Sequence, residues 1–249
     1  SDVYKRQGFQ GREFEIIGSN YDRNRHYFLG HFFRDNYERW LSSLPLVTSG
    51  INVNRVEVYI LNRTNNSESL RNFAAFTDLG EGRVILKESN SQIGTGSGGP
   101  NDNSSNLLFS NLTSNAGLRD IDQVDNLLSS QFIFSKSLDY EKVTSARKLD
   151  SDEYEINKTL GYISLLRRLQ NDEVLAVSYE YTYNGERFKV GELTEDYQNR
   201  DESEVIFLKL LRPSNINVSI PSWDLMMKNI YNLNATRIES ENFELKVNY

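Results

Sequence analysis

The chain has 249 residues, enough for one large domain or two small ones with a real core. Hydrophobic residues at 38% and charged residues at 25% suit a folded protein, while a net charge of −7 argues against nucleic acid as a partner. The absence of cysteine excludes disulfides, thiolate metal sites and cysteine catalysis.

Ser1–Gln7 ("SDVYKRQ") reads as an assembly scar on a metagenomic fragment and is set aside. No apolar run approaches the ~20 residues of a membrane helix. Phe14–Ile17 predicts a short strand. Leu29, Phe33, Tyr37, Trp40, Leu41 and Leu44 then recur at helical spacing until Pro45. Arg34 before Glu38 and Asp35 before Arg39 are pairs suited to the solvated face of that helix. Ile51–Leu61 alternates and is β-branched, with a phase slip at Asn54–Arg55 that predicts a bulge. Asn72–Ser89 reads as two strands about a turn at Gly80–Gly82.

Ser89–Asn115, rich in Ser, Asn and Gly, predicts a long mobile, disordered loop, because it offers little apolar surface against its ordering entropy. Leu118, Ile121, Val124, Leu127 and Leu128 predict a short helix capped by Ser114 or Asn115. Gln131–Phe134 reads as a strand, Tyr140–Leu149 as a helix, and "EYEIN" and "GYISLLRRL" as short strands.

Asn184-Gly185 is the preferred pair of a two-residue type I′ hairpin turn. It places Tyr183 opposite Glu186, Tyr181 opposite Phe188, Glu180 opposite Lys189 and Tyr179 opposite Val190. Leu175, Val177, Tyr179, Tyr181, Phe188 and Val190 share one face; Ser178, Glu180, Thr182, Arg187 and Lys189 share the other. Glu204–Pro213 is apolar on both faces and predicts a buried central strand. Ser222 caps a predicted helix through Trp223, Met226, Met227, Ile230 and Leu233. The last run alternates Phe243, Leu245, Val247 and Tyr249 and reads as a cut strand. Together these elements predict a β-rich α+β fold: antiparallel sheets, about three packed helices and the long loop.

No constellation reaches an active site, and the expectation is a non-enzymatic chain with no catalytic, metal or cofactor residues. His26 and His31, five apart, point roughly 140° away from each other on a helix and cannot share a metal from one face. Asp35, one turn after His31, suits a structural bond to it; a hydrolase built on His31 and Asp35 lacks a recognisable nucleophile. Gly94–Gly99 matches G-x-G-x-x-G, but no helix pattern follows to receive a phosphate. Asp150–Glu155 and Glu195–Glu204 lack calcium-loop spacing and read as solvated loops. Asn62-Arg63-Thr64 and Asn111-Leu112-Thr113 are chance glycosylation triplets in an Asn-rich chain.

Three stretches resemble one family. Gly11–Arg63 ("GREFEIIGSNYDRNRHYFLGHFFRDNYERWLSSLPLVTSGINVNRVEVYILNR"), Leu160–Leu193 and Pro221–Leu233 are similar to SprA (also called Sov), the outer-membrane translocon of the Bacteroidota type IX secretion system. The likeness runs through Gly8–Tyr249 apart from the loop at Ser89–Asn115. It implies an N-terminal-type fragment of a giant β-barrel that exports folded cargo, gliding adhesins included, to the cell surface. Implied partners are a PorV-like shuttle protein, a plug protein and secreted cargo with a C-terminal sorting domain; no catalytic residues carry over. The fragment is then either a domain built into or beside the barrel or a contributor of strands to its wall. The alternative expectation is a cell-surface β-sandwich that stacks glycans on Tyr179, Tyr181, Tyr183 and Trp223.

Overall fold

The computed structural model describes residues 15–61, 70–233, 244 and 246, and the chain divides into two units. In the first, Ser1–Asp22 with Lys228–Tyr249, the described residues form no helix or strand, and the Asp22 N–H donates to Ile230 O at 2.7 Å. The strand expected at Phe14–Ile17 is absent over 15–17, Phe14 lying outside the described residues. The strand expected at Phe243–Tyr249 falls almost wholly outside them.

The second unit, Arg23–Met227, carries all the regular structure described. In chain order it has β1 (His26–Phe28), α1 (His31–Trp40), β2 (Ile51–Leu61), β3 (Arg71–Phe76), α2 (Leu108–Ser114), α3 (Val124–Ser130) and β4 (Tyr140–Lys148). There follow β5 (Tyr154–Asn157), β6 (Tyr162–Leu165), β7 (Leu175–Tyr183), β8 (Glu186–Val190), α4 (Thr194–Tyr197) and β9 (Val205–Arg212). Two 3₁₀ turns lie at Ala116–Arg119 and Pro221–Leu225. The fold is α+β and sheet-rich, as the sequence predicts, but β3 and β9 run parallel where antiparallel sheets alone are expected, and the described residues hold four helices rather than about three.

Five strands close on themselves in the order β2-β4-β3-β9-β7 and back to β2. Only the β3–β9 pairing in this ring is parallel. So narrow a barrel needs small residues inside. Ala75, Ala146 and Ala176 supply them, and Tyr59, Phe73, Val143, Ile206, Leu208 and Leu210 fill the rest of the lumen. Alternation sends Ala74, Phe76, Val205 and Phe207 outward, under a second core built from Leu79 to Phe134. The hairpin β7–β8 has the expected register throughout, with Asn184 and Gly185 both at positive φ. The β2 bulge falls between Val53 and Arg55, and all of β9 is buried, both as predicted. A separate antiparallel sheet, β1-β6-β5, lies in the same unit, and α1 packs its Phe33 ring 4.9 Å from the Tyr181 ring of β7.

Several expectations are corrected. The stretch from Tyr140 is strand β4, not a helix: Ser145, at φ 54, inserts a bulge that turns both Val143 and Ala146 inward, which imitates helical spacing. Residues after Gly82 form turns rather than a second strand, and Gln131–Phe134 is irregular, with Ile133 at φ 56 between buried Phe132 and Phe134. The helix expected from Trp223 is a single 3₁₀ turn, because Met226 pairs with Tyr27 and the Met227 N–H donates to His26 O at 2.9 Å. The helix expected through Leu118–Leu128 splits into a 3₁₀ turn, capped by the Asn115 side chain as anticipated, and α3.

The Ser89–Asn115 loop is ordered and packed. Ile93, Leu108 and Leu112 are buried, and its polar side chains substitute for missing backbone partners. Asn106 donates to Asp78 O and Glu81 O at 2.7 and 3.0 Å; Asp102 and Asn103 bind the backbone of Lys189 and Gly191. The Asp102 and Asn103 contacts cap the C-terminal end of the β8 edge.

Candidate functional site

The strongest concentration of chemistry lies where α1, the turn at Asp78–Glu81 and β9 meet. Helix α1 starts after Gly30 with no side-chain cap of its own. Its first two N–H groups are satisfied from elsewhere: His31 N–H donates to Glu81 Oε1 at 3.3 Å and Phe32 N–H to Asn101 Oδ1 at 3.1 Å. The His31 ring spans two acceptors, Glu81 Oε1 at 2.9 Å from Nδ1 and Pro221 O at 3.0 Å from Nε2. A ring with an acceptor at each nitrogen is satisfied only as the doubly protonated imidazolium. Lys209, on β9, completes the centre: its Nζ reaches Glu81 Oε1 and donates to Thr77 O.

The electrostatics follow from this geometry. Burial by itself lowers the His31 pKa, but the Glu81 carboxylate outweighs it and the net shift is upward. Burial likewise pushes Glu81 up, and Lys209 and then His31 overcome it, holding the carboxyl at about 2. Asp78 sits beside them with its carboxylate accepting the Leu86 and Lys87 N–H groups at 2.8 and 3.2 Å. There burial dominates and raises its pKa to about 6. Two cations and one firmly ionised carboxylate thus share a closed space, with Asp78 as a second, weaker acid.

Chemically the centre is a fastening. His31, Glu81 and Lys209 are all buried, so substrate has no approach to them. The expected bond between His31 and Asp35 is absent: the ring turns to Glu81, and Asp35 pairs with neighbouring Arg34 at 3.1 Å. That removes the geometry a His31–Asp35 hydrolase requires. Arg39 likewise bonds Asn36 rather than Asp35. His26 faces Ser164 across the β1–β6 pair, Nδ1 to Oγ at 2.7 Å.

Two further buried polar groups were not legible in the sequence. At one end of the barrel, α4 presses Tyr197 onto Tyr59, their hydroxyls 2.5 Å apart, and Glu57 accepts from Tyr59 Oη at 2.9 Å and Thr194 Oγ1 at 2.8 Å. Burial, then Glu57, drives the Tyr59 pKa far upward, so the phenol stays a donor. On the outer wall Arg119 grips Glu192 with two bonds of 2.6 Å and stacks 3.9 Å from the centre of the Phe207 ring. The one signal in the sequence is Lys209, a cation in the middle of a run apolar on both faces, which demands a buried counter-charge.

The remaining candidates occupy structural positions. Gly94–Gly99 precedes no helix; Gly98 N–H donates to Gly82 O at 2.6 Å. Glu153 pairs with Arg147, and Glu195 and Asp196 with Arg55 and Lys189. No group of three metal-ligating side chains occurs among the described residues. Tyr179 and Tyr181 are closed to solvent beneath α1, Tyr183 is half-buried against Phe32, and Trp223 is half-buried. Asn111 lies on α2; Asn62–Thr64 fall outside the described residues. No known protein-family model matches the chain, and no curated protein matches it in sequence.

Proposed function

We propose that this chain is a structural domain of an outer-membrane protein-translocation channel of the SprA type, standing in or beside the barrel and engaging protein partners without chemistry of its own. The observation that carries the reading is where the family-like stretches fall. Gly11–Arg63, Leu160–Leu193 and Pro221–Leu233 are distant in sequence, yet β1 pairs with β6, β2 pairs with β7, and the His31 ring donates to Pro221 O. The resemblance therefore covers a hydrogen-bonded body rather than scattered motifs.

A domain is favoured over a length of barrel wall because the ring β2-β4-β3-β9-β7 is already closed and the Lys189 end of the β8 edge is capped by Asp102 and Asn103. A wall element must offer open edges to its neighbours and an apolar outer band to lipid. On this reading the partners are a PorV-like shuttle protein, the plug protein and exported cargo, at the outer membrane and cell surface.

The test is a chimera in a gliding Bacteroidota strain, with this chain replacing the matching segment of the resident SprA-type translocon. Secretion of cargo bearing a C-terminal sorting domain should persist in the chimera and fail on deletion of the segment. A chimera that reaches the outer membrane intact but secretes no more than the deletion would overturn the reading.

A further inference from the structure

One end of the barrel and the small β1-β6-β5 sheet border a cleft of about 230 Å³. Its floor is Ile60 on β2, Leu149 just after β4, Leu165 at the end of β6, and Leu169. Leu166 stands at the mouth, 54% exposed, beside Asp152, Glu153 and Arg167. An exposed leucine over an aliphatic hollow is apolar surface that association would remove from water.

The walls are fixed in advance. Leu149 N–H donates to Val58 O and Leu165 N–H to Arg25 O, both at 2.8 Å. Leu169 N–H donates to Asn24 O and Leu166 N–H to Glu153 O, both at 2.9 Å. A cleft framed in this way needs little ordering when something enters it. The charges at the rim are mostly spent: Arg147 clamps Glu153 at 2.5 and 2.8 Å, and Glu173 clamps Arg167 at 2.7 and 2.8 Å. The unbalanced charge is Asp152, exposed and without an ion pair among the described residues, with Asp150 exposed two positions before it.

Volume decides the kind of occupant. An apolar cavity of ~150 Å³ holds a benzene ring, whereas pockets for drug-sized molecules run from roughly 300 to 1,000 Å³. The cleft lies between, which suits one anchoring side chain better than a whole ligand. We propose that it seats a leucine, isoleucine or methionine of a partner protein, with a lysine or arginine next to that residue in the partner. The aliphatic chain fills the hollow, and the cation meets Asp152. The inference rests on the channel reading only for the partner's being a protein; the hollow and its charge stand apart from it.

The full chain is labelled at its leucine and isoleucine methyl groups and titrated with acetyl-Ala-Leu-Lys-Ala-amide, following the resonances of Ile60, Leu149, Leu165, Leu166 and Leu169 by NMR. Saturable shifts should appear at these residues. Glutamate in place of the peptide lysine should weaken binding about threefold, and alanine in place of its leucine about tenfold. Asp152→Asn should narrow the gap between the lysine and glutamate peptides, and Leu166→Ala should weaken both. Both substitutions are at exposed positions, so the fold survives them. Equal binding of the lysine and glutamate peptides, equal binding of the leucine and alanine peptides, or no saturable shift at the lining methyls overturns the proposal. Binding of hexylammonium without binding of the peptide also overturns it, since the occupant is then a free amine. None of these outcomes alters what the chimera secretes, so the two readings fail separately.

Discussion

Lys209 Nζ stands 2.9 Å from Glu81 Oε1, with the two side chains 0% and 1% exposed. The pair joins the central strand of the barrel to a turn that also holds the first residue of α1. Its disruption therefore acts on three segments at once.

Glu81→Gln strands two buried cations, Lys209 and His31, and should cost about 3–5 kcal/mol of stability. Lys209→Met removes one cation and leaves the His31–Glu81 pair, so it should cost less. Denaturant midpoints of the two variants check the order. A Lys209→Met protein no more stable than Glu81→Gln would mean that packing, not charge, decides the site.

The same groups set the response to pH. His31 binds its proton more tightly when folded, so its contribution is complete below the ordinary value of 6.5 and is lost as pH rises through the higher folded value. Glu81 runs the other way, contributing above 4.5 and losing that contribution as pH falls toward about 2. Asp78, raised from 3.8 to about 6, favours the fold when protonated, and that contribution fades as pH rises across the interval. Urea midpoints over roughly pH 3 to 9 should show both declines. His31→Gln should flatten the alkaline decline, and Asp78→Asn the one between 3.8 and about 6.

Arg119 holds the packed loop to the barrel through Glu192, Val205 O and the Phe207 ring. Arg119→Lys keeps the charge but loses the fork and the stacking, and should cost about 1–3 kcal/mol. Arg119→Leu leaves the buried Glu192 without its counter-charge, with the Phe207 N–H still donating to Oε2, and should cost about 3–5 kcal/mol. Hydrogen exchange should show the loss first at Leu108–Ser114 and Val124–Ser130.

Gly161 has φ +69, and a Cβ there would lie 1.9 Å from Phe33 Cδ1. Gly161→Ala combines left-handed strain with overpacking and should cost at least about 2 kcal/mol. Adding Phe33→Leu should return part of that loss, a coupling that a double-mutant cycle on denaturation free energies measures directly.

Much of the fold was legible wherever one segment's own pattern decides its shape. The Asn184-Gly185 turn dictated the β7–β8 register, the slip at Asn54–Arg55 marked a real bulge, and the two-faced apolar run of β9 marked a central strand. Reading failed where a local pattern had two explanations. Val143 and Ala146 are three apart because of a bulge, not a helical turn, and Met226 and Met227 owe their burial to pairing with β1. Composition also misread the loop, since Asn and Asp side chains that look unable to order a chain are able to bind backbone supplied from elsewhere.

The chemistry divides in the same way. By itself the sequence determined that no cysteine chemistry is possible, that strands dominate, and that Glu204–Pro213 is a buried strand, because these depend on residue type and short-range periodicity. Only the tertiary structure decided that the buried partner of Lys209 is Glu81, that His31 joins it instead of Asp35, and that five strands close into a filled ring. Those outcomes depend on which distant segments meet, and desolvation at the meeting point decides what each charged group must do.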